Sequence, residues 1–193
     1  MIKMAKAKTD LTKLFGMETG TENDDLEDYT RYYLSDMVSG QAFSGEATME
    51  LFPIVEKEDK NGKLVVKNYS QIRFRLIDEH SEPKMIDDEV EVGEYLDIYL
   101  NCPKFKDNGI CTRIQKPNKR FDFHRNLWNW LTGIMSIIDP QSLIDPRTGD
   151  EINIFKKINL KNVAEFLEGK RVTIEQVEVP DSEYPTFKIT MIQ

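Results

Sequence analysis

Between Lys104 and Arg125 the chain gathers Lys104, Lys106, Arg113, Lys116, Lys119, Arg120 and Arg125 against only Asp107 and Asp122. That is seven cations to two anions, a local balance of +5 in a chain whose formal charge is −8. Phe105, Phe121 and Phe123 lie among them. Cations contact phosphates and aromatic rings offer faces to unstacked bases, so this composition suits single-stranded nucleic acid. A solvated loop with its phenylalanines in the core has the same composition. An acidic pI of about 4.9 argues against a histone-like coat, but the local field decides binding, not the total.

A second set of residues fits the same chemistry. In 70–78, SQIRFRLID, the residues Ile72, Phe74 and Leu76 alternate with Gln71, Arg73 and Arg75, and Tyr69 precedes them in phase with the second set. In a later strand, Val92, Leu96, Ile98 and Leu100 form the buried set, while Tyr95, Asp97 and Tyr99 point the other way and Gly93 marks a bulge near the start. A period of two buries one face of a strand and leaves the other to solvent. If the two strands share a sheet, its outer face carries Arg73, Arg75, Tyr69, Tyr95 and Tyr99. That is a platform for stacking and phosphate contact, or an ordinary solvated sheet face.

The elements that must position these residues follow from pattern. Residues 24–38, DDLEDYTRYYLSDMV, open on two acids suited to a helix start, and Leu26, Tyr29, Tyr33 and Met37 recur at helical spacing. They predict an acidic N-terminal helix stopped at Gly40. A strand follows from Ala47 to Val55. Asn61-Gly62 between strand-like runs predicts a type I′ hairpin. After the basic segment, read as a loop, His124 to Ile138 forms an amphipathic helix with Leu127, Trp130, Leu131, Ile134, Ile137 and Ile138 on its apolar stripe. Residues 139–153 read as irregular. A short helix over 160–168 is capped by Gly169, and a strand over 171–179 carries a bulge near Glu175 and Gln176. Phe187, Ile189 and Met191 mark a closing strand. The expected fold is α+β and mainly antiparallel: a partly open, OB-like barrel of five to six strands over 45–193, preceded by a tail and acidic helix over 1–44.

Several function classes lack their residues. There is no GxxxxGK[ST] loop, GxGxxG turn or GxSxG elbow. The two histidines, His80 and His124, and the two cysteines, Cys102 and Cys111, match no zinc spacing. Asp87, Asp88, Glu89, Asp150 and Glu151 are adjacent acids of the kind found on solvated loops, and a two-metal nuclease would need them gathered in space. No enzyme activity, cofactor or metal is expected. No run of about 18 apolar residues appears and the first residues lack a signal-peptide core, which points to reduced thiols and a cytoplasmic protein with no membrane partner.

The order of SQIRFRLID, GEYLDIYLNCPK, FHRNLWNWLTGIM, FLEGKRVTIEQVEVP and YPTFKITMI resembles a class of bacteriophage replication-module proteins. Those are presumed single-stranded DNA-binding proteins with an oligonucleotide-binding fold. The resemblance covers about 45–192 and includes Gly169, Lys170, Arg171 and Val172 as the element returning the chain to the sheet. It implies a single-stranded DNA partner, a role in viral replication or recombination, and a host-cell cytoplasmic location. The acidic stretch from Glu18 to Asp28 departs from that class, in which acidic tails usually lie at the other end. By charge alone it suits a protein-docking arm. The alternative is a virion assembly protein that docks through this arm and forms a defined oligomer without nucleic acid.

Overall fold

A computed structural model describes residues 26, 28–80, 84–86, 89–91, 93–118, 121–180, 182 and 184–193. In chain order the elements are β1 (Tyr29–Tyr33), β2 (Ala42–Phe52), β3 (Glu56–Glu58), β4 (Leu64–Val66), β5 (Ser70–Asp78), β6 (Lys84–Ile86), β7 (Glu89–Glu91), β8 (Gly93–Cys102), β9 (Ile110–Gln115), α1 (Arg125–Ile138), β10 (Ile154–Asn159), α2 (Leu160–Leu167), β11 (Arg171–Val177) and β12 (Thr186–Ile192). The protein is α+β. Six strands form one sheet in the order β1-β8-β5-β2-β11-β12, while β3–β4, β6–β7 and β9–β10 are two-stranded.

Alternation in β5 and β8 dictates where the core lies. Ile72, Phe74, Leu76, Leu96, Ile98 and Leu100 are buried on one face. They meet the apolar stripe of α1, where Trp130 packs on Phe74 at 6.2 Å between ring centroids. The antiparallel pair β9–β10 closes the same side, with Cys111 and Ile114 in the core and Phe155 against Trp128 at 5.1 Å. Both tryptophans are therefore core residues. Asn159 caps α2 by accepting from the backbone N–H groups of Lys161 and Asn162, and Gly169, with φ of 72°, ends it.

The long strand β2 belongs to two neighbours. Its first half pairs with β11, Ala42 to Glu46 against Glu175 to Arg171, and its second half with β5, Glu46 to Phe52 against Ile77 to Gln71. The changeover falls at Glu46, which both ladders share, just after Gly45. A Cβ on Gly45 would sit 2.7 Å from the backbone nitrogen of Ile77, which cannot move without breaking the ladder. Gly45→Ala is therefore expected to cost about 1–3 kcal/mol in urea-monitored unfolding, as overpacking of a closed interior does; an unchanged midpoint would show that the strands part freely there.

The sheet is not closed by hydrogen bonds, since its order ends at β1 and β12. Tyr32 of β1 approaches Phe43 of β2 at 6.5 Å, and Leu34 and Met37 in the connecting segment are buried in the core. Side chains thus join β1 and the segment after it to β2 and the core.

Four sequence expectations need correction. The acidic helix is not formed over its described part: 29–33 is a strand, parallel to β8, with Tyr29 opposite Gly93 and Tyr33 opposite Asp97. Tyr-Thr-Arg-Tyr-Tyr is a strand-favouring run, and pairing with a buried edge outweighs a helical spacing of four apolar residues. Asp24, Asp25 and Glu27 lie outside the described residues. The sheet is accordingly not purely antiparallel. The hairpin at Asn61-Gly62 forms, but through a five-residue connection in which Asp59 Oδ1 accepts from the N–H groups of Asn61 and Lys63; only Gly62 has positive φ, so the turn is not type I′. The register of the last hairpin shifts between Thr173 and Ile174, where Thr190 of β12 is the extra residue; β11 itself keeps its phase, with Val172, Ile174 and Gln176 all buried. Finally, residues 110–115 of the supposed basic loop form the strand β9, paired with β10 over 154–159, for which the sequence pattern predicts no element.

Candidate nucleic-acid interface

The face of β5 and β8 turned away from α1 carries Gln71, Arg73, Arg75, Tyr95, Asp97, Tyr99 and Asn101. The register sets Arg73 beside Tyr99, Arg75 beside Asp97 and Gln71 beside Asn101. The two strands thus share a sheet, and the arginines and two of the tyrosines share its face. β1 adds Arg31 and Tyr33, which the sequence spacing places on a helix.

Asp97 organises this face. Its side chain has 0% exposure and accepts from Arg75 Nε at 2.7 Å and Nη2 at 3.0 Å, while Arg31 Nη2 lies 2.6 Å away. Burial opposes the charge on Arg75, but the hydrogen bonds and negative charge of Asp97 outweigh it and raise the guanidinium's pKa. Arg31 is raised in the same way, burial again opposing Asp97. Arg75 lies over the Tyr95 ring at 4.4 Å, and burial raises the phenol's pKa against the pull of both arginines. Arg31 lies over Tyr33 at 4.7 Å and donates to the Tyr99 hydroxyl at 3.2 Å. Arg73 pairs with Glu50. Three guanidiniums therefore meet two carboxylates, and Arg75 is committed to the fold. What stays accessible is Tyr33 and Tyr99, at 41% and 37% exposure, with the half-exposed Arg31 between them and Arg73 alongside.

The basic segment does not make one trough with this face. Phe105 is only 5% exposed and belongs to the core, its N–H donating to Ser70 Oγ, which in turn donates to the Pro53 carbonyl. It anchors the loop and has no face for a base. Lys104 and Lys106 are exposed on either side of it, where β5 and β8 end. Arg113, exposed and at φ of 59°, and Lys116, paired with Glu151 at 3.0 Å, lie at β9 on the α1 side of the sheet. Arg125 pairs with Asp122 at 3.3 Å at the start of α1. Lys119 and Arg120 lie outside the described residues.

Tyr69 also leaves the platform. Its ring meets Phe123 edge-on at 4.9 Å, and Phe121 and Phe123 flank His124 at 5.2 and 5.3 Å. Among the described residues His124 Nδ1 has no hydrogen-bond partner, and burial lowers the imidazole's pKa below 6.5. A base held neutral in the fold stabilises it above its unfolded pKa and loses that contribution as pH falls. Unfolding free energy is therefore expected to drop on acidification from pH 7 to pH 5, less steeply in His124→Gln than in the parent protein. Equal slopes would remove His124 as the cause.

The thiols are not poised for chemistry. Both are buried; Cys102 is pushed well up by burial and by nearby Cys111, and Cys111 to about 11 by burial. Among the described residues no group of three or more His, Cys, Asp or Glu side chains is placed to hold a metal, and no helix is long and apolar enough to cross a membrane. Asp87 and Asp88 are outside the described residues. No family model, curated protein or solved structure matches the chain.

Proposed function

We propose that this protein binds single-stranded DNA without catalysing a reaction, through the outer face of β1, β8 and β5. The observation that carries the reading is the exposed pair Tyr33 and Tyr99 with Arg31 held between them. Two rings offer stacking faces to successive bases, and the guanidinium between them suits the intervening phosphate. Strand connectivity supports the choice of face. With β1 set aside, the order β8-β5-β2-β11-β12, with α1 between β8 and β11 in the chain, is compatible with an oligonucleotide-binding arrangement, in which the second and third strands would form the ligand face. Here those strands are β5 and β8.

The test is fluorescence anisotropy with a labelled (dT)20 and with duplex of the same length, in salt from 50 to 300 mM. Expected is preferential binding of the single strand with a log–log salt slope near −1.4, from about two phosphate contacts, Arg31 and Arg73, at roughly 0.7 each. Absence of binding at 50 mM salt, or equal affinity for duplex, overturns the proposal.

A further inference from the structure

Beyond the ends of β5 and β8, past the Gln71–Asn101 pair, a groove of about 340 Å³ runs between the base of the β3–β4 hairpin and the loop holding Lys104 to Asp107. Its walls are Ile54 and Val66, 56% and 57% exposed, with Lys67, Lys104 and Lys106 at its rim and Asp107 the one acid lining it among the described residues. Among the described residues none of these three lysines forms an ion pair, whereas Lys116 and Lys188 both do. Both walls are fixed from behind. The Lys67 N–H donates to the Val55 carbonyl at 2.7 Å, and the opposite loop is tied by Phe105 to Ser70 and turned by Gly109 N–H to the Lys106 carbonyl at 2.8 Å. A site held this way loses little freedom on binding.

We infer that this groove docks an acidic peptide segment of a partner protein, one carrying a bulky apolar side chain between carboxylates. Charge complementarity selects an anion: three uncommitted ammonium groups face one carboxylate, in a chain that is acidic overall. The walls select the kind of anion. They are aliphatic, and among the described residues the only aromatic side chain lining the groove, Phe105, is buried in the core, so a nucleic acid would find phosphate contacts but no stacking face. Ile54 and Val66 instead offer apolar area to one large side chain, and a volume of this size holds such a group with its neighbours. The lysines set the register of the flanking carboxylates.

This inference does not depend on the sheet face, and the experiment separates the two. A labelled peptide with two aspartates on each side of a phenylalanine is titrated with the full chain at 50 mM salt, beside the same peptide with alanine for phenylalanine and beside labelled (dT)20. The phenylalanine peptide is expected to bind saturably, with affinity reduced at least tenfold by Lys104→Glu combined with Lys106→Glu, at least fivefold by Ile54→Asp and at least fivefold by the alanine peptide, and unchanged by Tyr99→Ala. These variants alter exposed side chains, and a circular dichroism melt checks that they fold. No saturable peptide binding below about 1 mM, or binding indifferent to both groove variants, overturns the inference. So does a loss of (dT)20 affinity in the lysine variant without competition between peptide and oligomer, which would give the groove to the nucleic acid.

Discussion

Asp97→Asn is expected to lower the free energy of unfolding by about 3 kcal/mol or more, the largest stability effect of any single polar substitution in the sheet. The Asp97 side chain has no solvent exposure and serves two guanidiniums. Asparagine keeps its shape and removes its charge. Arg75 then remains stacked on the Tyr95 ring, 8% exposed, with a full positive charge and Asp97 no longer its counterion. Removing one partner from a buried pair costs more than the pair contributes, because the survivor's desolvation is no longer compensated. Arg31 is over a third exposed and turns to water at smaller cost, so Arg31→Ala is expected to cost about 1 kcal/mol. Replacing the pair together, with Arg75→Met and Asp97→Leu, is expected to recover most of the loss, since apolar groups leave no charge stranded. Urea unfolding of the three variants decides it. A loss below about 1 kcal/mol for Asp97→Asn would mean that water already reaches the pair.

The same network shows what a sequence can reveal of such a site. Alternation in 70–78 and 93–102 is a one-body property: each strand, read alone, says which residues share a face, and Ile72, Phe74, Leu76, Leu96, Ile98 and Leu100 did go to the core as a set. The 125–138 helix was legible for the same reason, because its apolar stripe spans several turns. Pairing is a two-body property. Nothing in Arg75 or Asp97 taken singly says that they face each other; that follows from a register set by the whole of β5 against β8. The arginines were therefore correctly placed on the outer face but not seen to be engaged there. Strand β1 was missed because Leu26, Tyr29, Tyr33 and Met37 satisfy a helical spacing by coincidence. Its alternation of Tyr29, Arg31 and Tyr33 against Thr30 and Tyr32 was the available signal, but five residues are too few to outvote fifteen. Strand β9 was hidden by charge: Thr112, Arg113 and Gln115 are exposed, and only Cys111 and Ile114 point into the core, with the αL residue Arg113 breaking the period between them. Clustered lysines in a sequence were read as a clustered field. In the fold, β9 carries part of that charge to the helix side of the sheet.

Tyr33→Ala combined with Tyr99→Ala is expected to raise the dissociation constant for (dT)20 by about 30-fold or more. Each base stacked on an aromatic side chain contributes roughly 1–3 kcal/mol, and 1.4 kcal/mol is a factor of ten. Two rings at the low end of that range already give 2 kcal/mol. Both stand on the outer face, so the core under β8 is untouched and unfolding curves should shift little. The informative control is Tyr99→Phe. It deletes the hydroxyl that accepts from Arg31 at 3.2 Å but keeps the ring. If the ring works by stacking, Tyr99→Phe binds nearly as the parent does. If the hydroxyl matters through the position it gives Arg31, affinity falls and the salt slope flattens, by up to about 0.7 for the one phosphate contact at stake. Arg31→Ala should flatten the slope by that amount whatever happens at Tyr99. A double tyrosine variant that binds (dT)20 as tightly as the parent would leave Arg31 and Arg73 as the only contacts on this face. Both already sit beside carboxylates, Asp97 and Glu50, so charge alone gives too little attraction there to hold a strand.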